Sequence, residues 1–372
     1  MHISAHFDSG NIQVLDASQP SNIRLAIQPD AGGEHMQWFH FRVAGAKGQD
    51  LVLRLTNASK ASYPNAWVGY SACSSSDRKR WHRVQTDYEG GELVIRHRPQ
   101  ADLQWYAYFA PYSHERHQDL LARCQASPLA RVDRLGSTVD GRDLDRVTIG
   151  SGQRQIWAIA RQHPGETMAE WWMEGFLARL LDAADPLARA LREKATLHVV
   201  PNMNPDGSAR GHLRCNATGA NLNREWHGPT LERSPEVLHV LAAMDVSGVD
   251  LCLDVHGDED LPYNFISGCE GVPSFDDRLA RLSTSFHDAY EAANPDFQQV
   301  HGYGVDKPGE ANMTMCTNAV AERYNCPGLT LEMPFKDNAN APDPRHGWCP
   351  HRSALLGRDA IVPLVAVVDQ LR

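Results

Sequence analysis

The sequence predicts a mixed α/β domain, built on a mainly parallel sheet flanked by helices and preceded by an all-β sandwich. Three observations carry this. Up to about residue 110, short β-rich segments follow one another between turn residues. From about residue 130, apolar runs of strand length alternate with helix-length stretches, the pattern of a parallel sheet with crossover helices. One such run, 156–160, leads into Gln162-His163-Pro164-Gly165-Glu166 and then into a helical stretch, 168–181.

Taken in order, residues 11–15, 23–27, 38–43 and 50–55 read as strands, with turns at 18–22, 30–33 and 45–48. Strands are expected again at 66–71, 81–84, 92–96 and 103–110, and about eight short strands at this spacing suggest a sandwich. Residues 114–125 read as a helix that hands the chain to the second domain, so the expected division is 1–112 and 113–372. In the second part, 144–149, 155–160, 196–201, 249–256 and 328–332 read as strands. Helices are expected at 167–181, 185–194, 234–244, 275–293 and 352–371.

A chain of 372 residues is long enough for one large or two moderate cores. The 36 basic and 46 acidic residues leave a formal charge of −10, which argues against a general binder of nucleic acid or of anionic membranes. None of the eight cysteines forms a C-x-x-C pair, so no cysteine-ligated zinc site is expected. Several sit in apolar runs, as Cys252 does, and read as reduced core residues. No basic and apolar leader is visible at the start, and no apolar run approaches the ~20 residues of a membrane span. A cytoplasmic location is expected.

The chemistry begins at the strand-to-helix turn. An imidazole and a carboxylate three residues apart, His163 and Glu166, can share one zinc ion at the carboxyl end of a strand. Catalytic zinc takes three protein ligands, and His256 at the end of the run 249–255 fits as the third. Asp254, two residues earlier on the same strand face, is placed to orient its ring. Either histidine alone, among 18, reads more simply as a satisfied polar residue; their common placement at strand ends favours a metal. Glu332 ends an apolar strand just before a proline and is the candidate general base. Arg214, Asn223 and Arg224 lie in a long connection, where Arg224 beside Asn223 suits a carboxylate and Arg214 a developing oxyanion. His114-Glu115-Arg116-His117 lacks metalloprotease spacing and reads as a solvated helix face.

Together, H-P-G-E, N-x-N-P-D-G, H-L-R-C, L-N-R-E-W, D-V-H-G and T-L-E resemble the zinc carboxypeptidases of the carboxypeptidase A type. The chain is most similar to their cytosolic branch, which also carries a β-sandwich ahead of the catalytic domain. The resemblance implies one zinc ion held by His163, Glu166 and His256, with Glu332 as general base and Arg214 polarising the scissile carbonyl. It further implies that Asn223 and Arg224 grip the C-terminal carboxylate of a peptide or protein. The secreted members' mobile tyrosine has no secure counterpart; Tyr303 and Tyr324 are nearest.

The expected reaction is hydrolysis by a promoted water, releasing the C-terminal amino acid. The cytosolic branch is associated with glutamate removal, which would need a basic pocket group; Lys307, Arg323 and His301 are the candidates. A second class, the zinc N-acyl amino acid deacylases of aspartoacylase or desuccinylase type, shares the H-x-x-E…H site. A third reading makes the sandwich a binding module beside a vestigial site.

Overall fold

The computed structural model describes all residues, 1–372. Ten strands form the first part: β1 (His2–Ser4), β2 (Gln13–Asp16), β3 (Ile23–Ala26), β4 (His40–Ala44), β5 (Leu51–Leu55), β6 (Cys73–Ser75), β7 (His82–Arg83), β8 (Thr86–Glu89), β9 (Glu92–His97) and β10 (Leu103–Ala107). They make two five-stranded sheets, ordered β1-β4-β10-β6-β7 and β2-β3-β5-β9-β8. In β5, Leu51, Leu53 and Leu55 are buried while Val52 and Arg54 are partly open, the period of two of a sheet with one face in the core. Each such leucine contributes about 1.5–3 kcal/mol by leaving water.

The expected strand at 66–71 is instead a 3-10 turn, Pro64–Trp67. Proline sets the turn at its first position, and the Trp67 indole N–H donates to Ala58 O at 2.9 Å, so the aromatic residue is buried without a ladder.

The second part opens with α1 (His114–Gln125), capped by Ser113, and continues through β11 (Ala130–Ser137), β12 (Asp143–Ile149), β13 (Arg154–Ala160), α2 (Met168–Leu180), α3 (Pro186–Lys194), β14 (Ala195–Val200), α4 (Pro205–Arg210) and α5 (Pro235–Ser247). It closes with β15 (Leu251–Val255), β16 (Phe265–Ser267), α6 (Asp277–Ala293), α7 (Cys316–Tyr324), β17 (Gly328–Glu332), α8 (Pro350–Asp359) and α9 (Ile361–Val367). The seven-stranded sheet runs β11-β12-β14-β13-β15-β17-β16. Its central strands β14, β13, β15 and β17 are parallel, and antiparallel strands finish both edges. The single closing helix expected at 352–371 is two helices that meet at Ala360, since Pro363 lacks the N–H that a continuous helix would use.

Both faces of this sheet are covered. Along β13, Ile156, Ala158 and Ala160 join the core shared with α2, while Trp157 and Ile159 face the smaller core under α5. A strand buried on both faces reads as an unbroken apolar run, which is why 156–160 stood out. The larger core runs on into the sandwich, where Tyr108 stacks on Phe335 at 4.3 Å between centroids. All eight cysteines are free thiols, and no helix is long and apolar enough to cross a membrane.

Candidate active site

Three adjacent parallel strands end side by side. In the ladders, Ala160 at the end of β13 lies opposite Val255, the last residue of β15, and Val255 lies opposite Leu331 in β17. The chain leaves β13 and β15 through His163 and His256 and ends β17 on Glu332. Open α/β sheets gather ligands at this edge.

The turn after β13 is held in an uncommon shape. Arg161 has φ of +59°, a left-handed conformation that costs a non-glycine residue about 1–2 kcal/mol. Its buried guanidinium offsets this: Nε donates to Pro164 O at 3.0 Å, and Nη1 donates to Tyr112 O at 3.0 Å and Glu170 Oε2 at 2.6 Å. His117 completes the network, with Nδ1 2.6 Å from Glu170 Oε1. The expected solvated face at 114–117 is therefore corrected: burial opposes charge on His117, but Glu170 and Asp145 outweigh it and lift the pKa to about 9. On the other side, the Gly165 N–H donates to Leu213 O at 2.8 Å. A Cβ on Gly165 would stand 2.9 Å from that oxygen, so only glycine lets the turn meet the loop that carries Arg214.

His163, Glu166 and His256 are all buried and turn ligand atoms toward one another. His163 Nδ1 lies 2.7 Å from Glu166 Oε1, His256 Nδ1 lies 2.8 Å from Glu166 Oε2, and the two Nδ1 atoms are 3.2 Å apart. The far side of each ring has a partner. Asn221 Oδ1 already accepts from the Asn223 backbone N–H, so His163 Nε2, 3.0 Å away, is the donor and its Nδ1 carries a lone pair. His256 Nε2 lies 2.9 Å from Asp254 Oδ2, a close charge contact whose angle falls outside hydrogen-bond geometry. Asp254 is held in turn by the Gln162 side-chain amide at 2.6 Å. Burial first, then Arg214, holds the His163 pKa down to about 3, leaving it neutral. Burial also disfavours charge on His256, but Asp254 and Glu166 outweigh it and raise its pKa. Acceptors converging this closely call for a cation, and tetrahedral zinc at ~2.0–2.1 Å sets its ligand atoms about 3.3 Å apart. The donor set fits that ion.

Six of the seven expected site residues line one cavity of 430 Å³: His163, Glu166, Arg214, Asn223, Arg224 and Glu332. His256 is buried and not part of that lining, 2.8 Å from Glu166 Oε2. Neither Arg214 nor Arg224 has an ion-pair partner, although every other member of the pocket with charge is an acid or a histidine; Arg214 is half-buried, with its guanidinium 5.7 Å from the Tyr63 ring centroid. The Arg224 pKa is pushed down, first by partial desolvation and then by Arg214, so the two cations face a shared space. Asn223 Oδ1 accepts from the Cys316 backbone N–H at 2.8 Å, which leaves its NH2 as the group free to donate. Burial first lifts the Glu332 carboxyl well above the usual range; Glu166, Asp258 and Glu259 add to this, and His256 opposes it.

The cavity also holds residues the sequence did not single out. Glu259 is buried with Oε1 unpartnered, and Tyr63 comes from the sandwich. An acidic run one glycine after a strand-end histidine, Asp258-Glu259-Asp260, was the available signal for the first; Tyr63 had none. Tyr303 lines the cavity and donates its hydroxyl to Asp258 Oδ2, whereas Tyr324 binds Asp245 at 2.6 Å away from it. A second cavity of 480 Å³ adjoins at Tyr303 and Met315. Of the three basic candidates for its wall, only His301 is there; Arg323 pairs with Asp245 at 2.7 Å on the surface.

Residues 3–109 match the family pattern described as the cytosolic carboxypeptidase N-terminal domain, and residues 118–358 match that of the zinc carboxypeptidases. A metallo-carboxypeptidase of Pseudomonas aeruginosa, solved in complex with (2-guanidinoethylmercapto)succinic acid, is 46% identical with a TM-score of 0.97 over 100% of both chains. A metallo-carboxypeptidase of Burkholderia cenocepacia is likewise 46% identical, with a TM-score of 0.97 over 99% of each chain. Cytosolic carboxypeptidase 1 of Gallus gallus is 26% identical over 359 residues, which span 82% of this chain and 28% of that protein. A mixed sheet behind a β-sandwich, with a His-Glu-His cluster at its strand ends, and these matches lead to one conclusion: the chain belongs to the zinc carboxypeptidase family of hydrolases.

Proposed function

We propose that the chain is a zinc-dependent carboxypeptidase that removes the C-terminal residue of peptides or proteins, using one zinc ion held by His163, Glu166 and His256. The observation that carries this reading is the pairing of two guanidiniums without acid partners, Arg214 and Arg224, with the convergent lone pairs of the cluster in one cavity. Zinc bound there would supply Lewis acidity to a carbonyl and lower the pKa of a water. Glu332, at the cavity wall with Oε2 unpartnered, takes the proton of the attacking water and returns it to the leaving amine. Arg214 faces the negative charge that builds on the carbonyl oxygen. Arg224 and the Asn223 NH2 hold the substrate's terminal carboxylate, and this makes the enzyme an exopeptidase. A cytoplasmic setting goes with the eight free thiols.

Glutamate is the residue that the cytosolic branch suggests, and the adjoining cavity argues for a different side chain. Its wall contains Glu270 and Asp306, neither of them ion-paired, and no lysine or arginine. Such a wall favours a cationic side chain. The Pseudomonas aeruginosa relative's ligand, with its guanidino group, is in keeping with this.

The test is a metal assay joined to product analysis on peptides ending in Glu, Lys, Arg, Leu and Phe, each as free acid and as amide. One zinc per chain, release from the free acids alone and preference for Lys or Arg are expected. Release from the amides would overturn the carboxylate clamp, and cleavage of N-acyl amino acids in place of peptides would make the chain a deacylase.

A further inference from the structure

The loop that carries Arg214 is held from the sandwich by one carboxylate. Asp30 lies in the turn between β3 and β4 and is 2% exposed. Its Oδ1 accepts the Leu213 N–H at 2.6 Å, and its Oδ2 accepts the N–H groups of Arg214 at 2.7 Å and Cys215 at 2.8 Å. Three successive backbone N–H groups aimed at one anion form a nest, and charge-assisted hydrogen bonds of this length are the strong ones. Asp30 forms no ion pair, so these N–H groups are what balance its buried charge.

The grip is reinforced around it. His212 Nε2 accepts the Ala31 N–H at 3.0 Å, which makes Nδ1 the donor to Cys215 O at 2.9 Å. The Asn11 side-chain amide donates to Gly211 O at 2.9 Å. The sandwich thus fixes the backbone on both sides of Arg214, while the guanidinium itself stays without an acid partner and faces the cavity.

The geometry points to Asp30 as a positioning residue: it sets where the Arg214 guanidinium stands, and through it the sandwich contributes to turnover. This rests on the proposed role of Arg214 at the developing oxyanion. Arg224 and Asn223, which hold the ground-state carboxylate in that reading, hang on Asn221 and Cys316 and make no contact with Asp30. Loss of the Asp30 charge should therefore lower kcat and leave KM in place. A displacement on the order of 1 Å at such a site costs up to ~10²-fold.

The experiment is a double-mutant cycle on the full zinc-loaded chain, with Asp30→Asn and Arg214→Ala, read as kcat and KM on a peptide substrate. Asp30→Asn alone should lower kcat by about ten- to a hundredfold with KM within about twofold. In the Arg214→Ala background the same change should have an effect close to onefold, because the group it positions is gone. An equal loss in both backgrounds, or an unchanged kcat in folded Asp30→Asn, would overturn the inference. If Arg214→Ala by itself leaves kcat unchanged, the role given to Arg214 fails first and separately. Should Asp30→Asn not yield folded protein, Asp30→Glu, which keeps the charge and shifts it by one methylene, goes through the same cycle with the same two outcomes.

Discussion

At the residue scale, the proposed roles separate chemistry from recognition within one cavity. Glu332→Gln keeps the shape of the strand end and removes the carboxylate proposed as the base. It is expected to retain one zinc per chain and lose about 10²–10⁴-fold in kcat. Wild-type turnover in that variant would take the role of base away from Glu332. Arg224→Ala removes the hydrogen bonds proposed to hold the substrate carboxylate; charge-assisted bonds are worth about 1.5–3 kcal/mol each, so KM should rise by roughly ten- to a hundredfold with kcat less affected. An unchanged KM would move the carboxylate site elsewhere. The residues named from the sequence gather at one sheet edge because each sits at the end of an apolar strand or in the long connection beside it. What the sequence hid were contacts with no period. Asp30 meets Arg214 across 184 residues, and Arg161 owes its buried place to Glu170 and Tyr112, which no spacing rule joins.

At the scale of elements, legibility followed burial and local capping. β13 and β15, covered on both faces, were plain as apolar runs. β11 was not: it is an edge strand carrying Arg131, Asp133 and Arg134, and charge at an edge masks the β pattern. α7 has no side-chain cap of its own; its first N–H is taken by Asn223 Oδ1, 93 residues away, so no local start signal exists. The meeting of the His163–Glu166 turn with the Leu213–Cys215 loop depends on Gly165. Gly165→Ala forces a methyl to within 2.9 Å of Leu213 O, and the loops must part. Overpacking of this kind costs about 1–3 kcal/mol, and both the melting temperature and zinc retention should fall. A variant with unchanged melting and full metal content would show that the two loops yield more easily than their contacts imply.

At the scale of the whole molecule, sandwich and α/β sheet share one core. Arg83 of β7 adds a polar seam: its Nη2 donates to Phe335 O at 2.7 Å and Trp348 O at 2.9 Å, on the segment that follows Glu332. Calorimetry should show one unfolding transition for the full chain; two resolved transitions would mean that the seam is weak. Acidity bears on the same whole. Glu236 is fully buried, and burial lifts its carboxyl to about 7 from an ordinary 4.5. A carboxyl that holds its proton more tightly when folded makes the fold lose stability as pH climbs from about 4.5 to about 7. Glu236→Gln removes that dependence, so its melting temperature relative to wild type should shift in the variant's favour between pH 5 and pH 8. A difference that does not change with pH would show that Glu236 is ionised in the fold.

The Asp30 contact also bears on the order of assembly. Its acceptor and its three donors lie 183 to 185 residues apart, among the most distant pairings in the chain. A chain made from its amino end carries Asp30 and the sandwich strands out before the segment around Arg214 has been synthesised. The segment around Arg214 is thus the late partner in this contact, and an anion already carried by the chain meets its three N–H groups when they emerge.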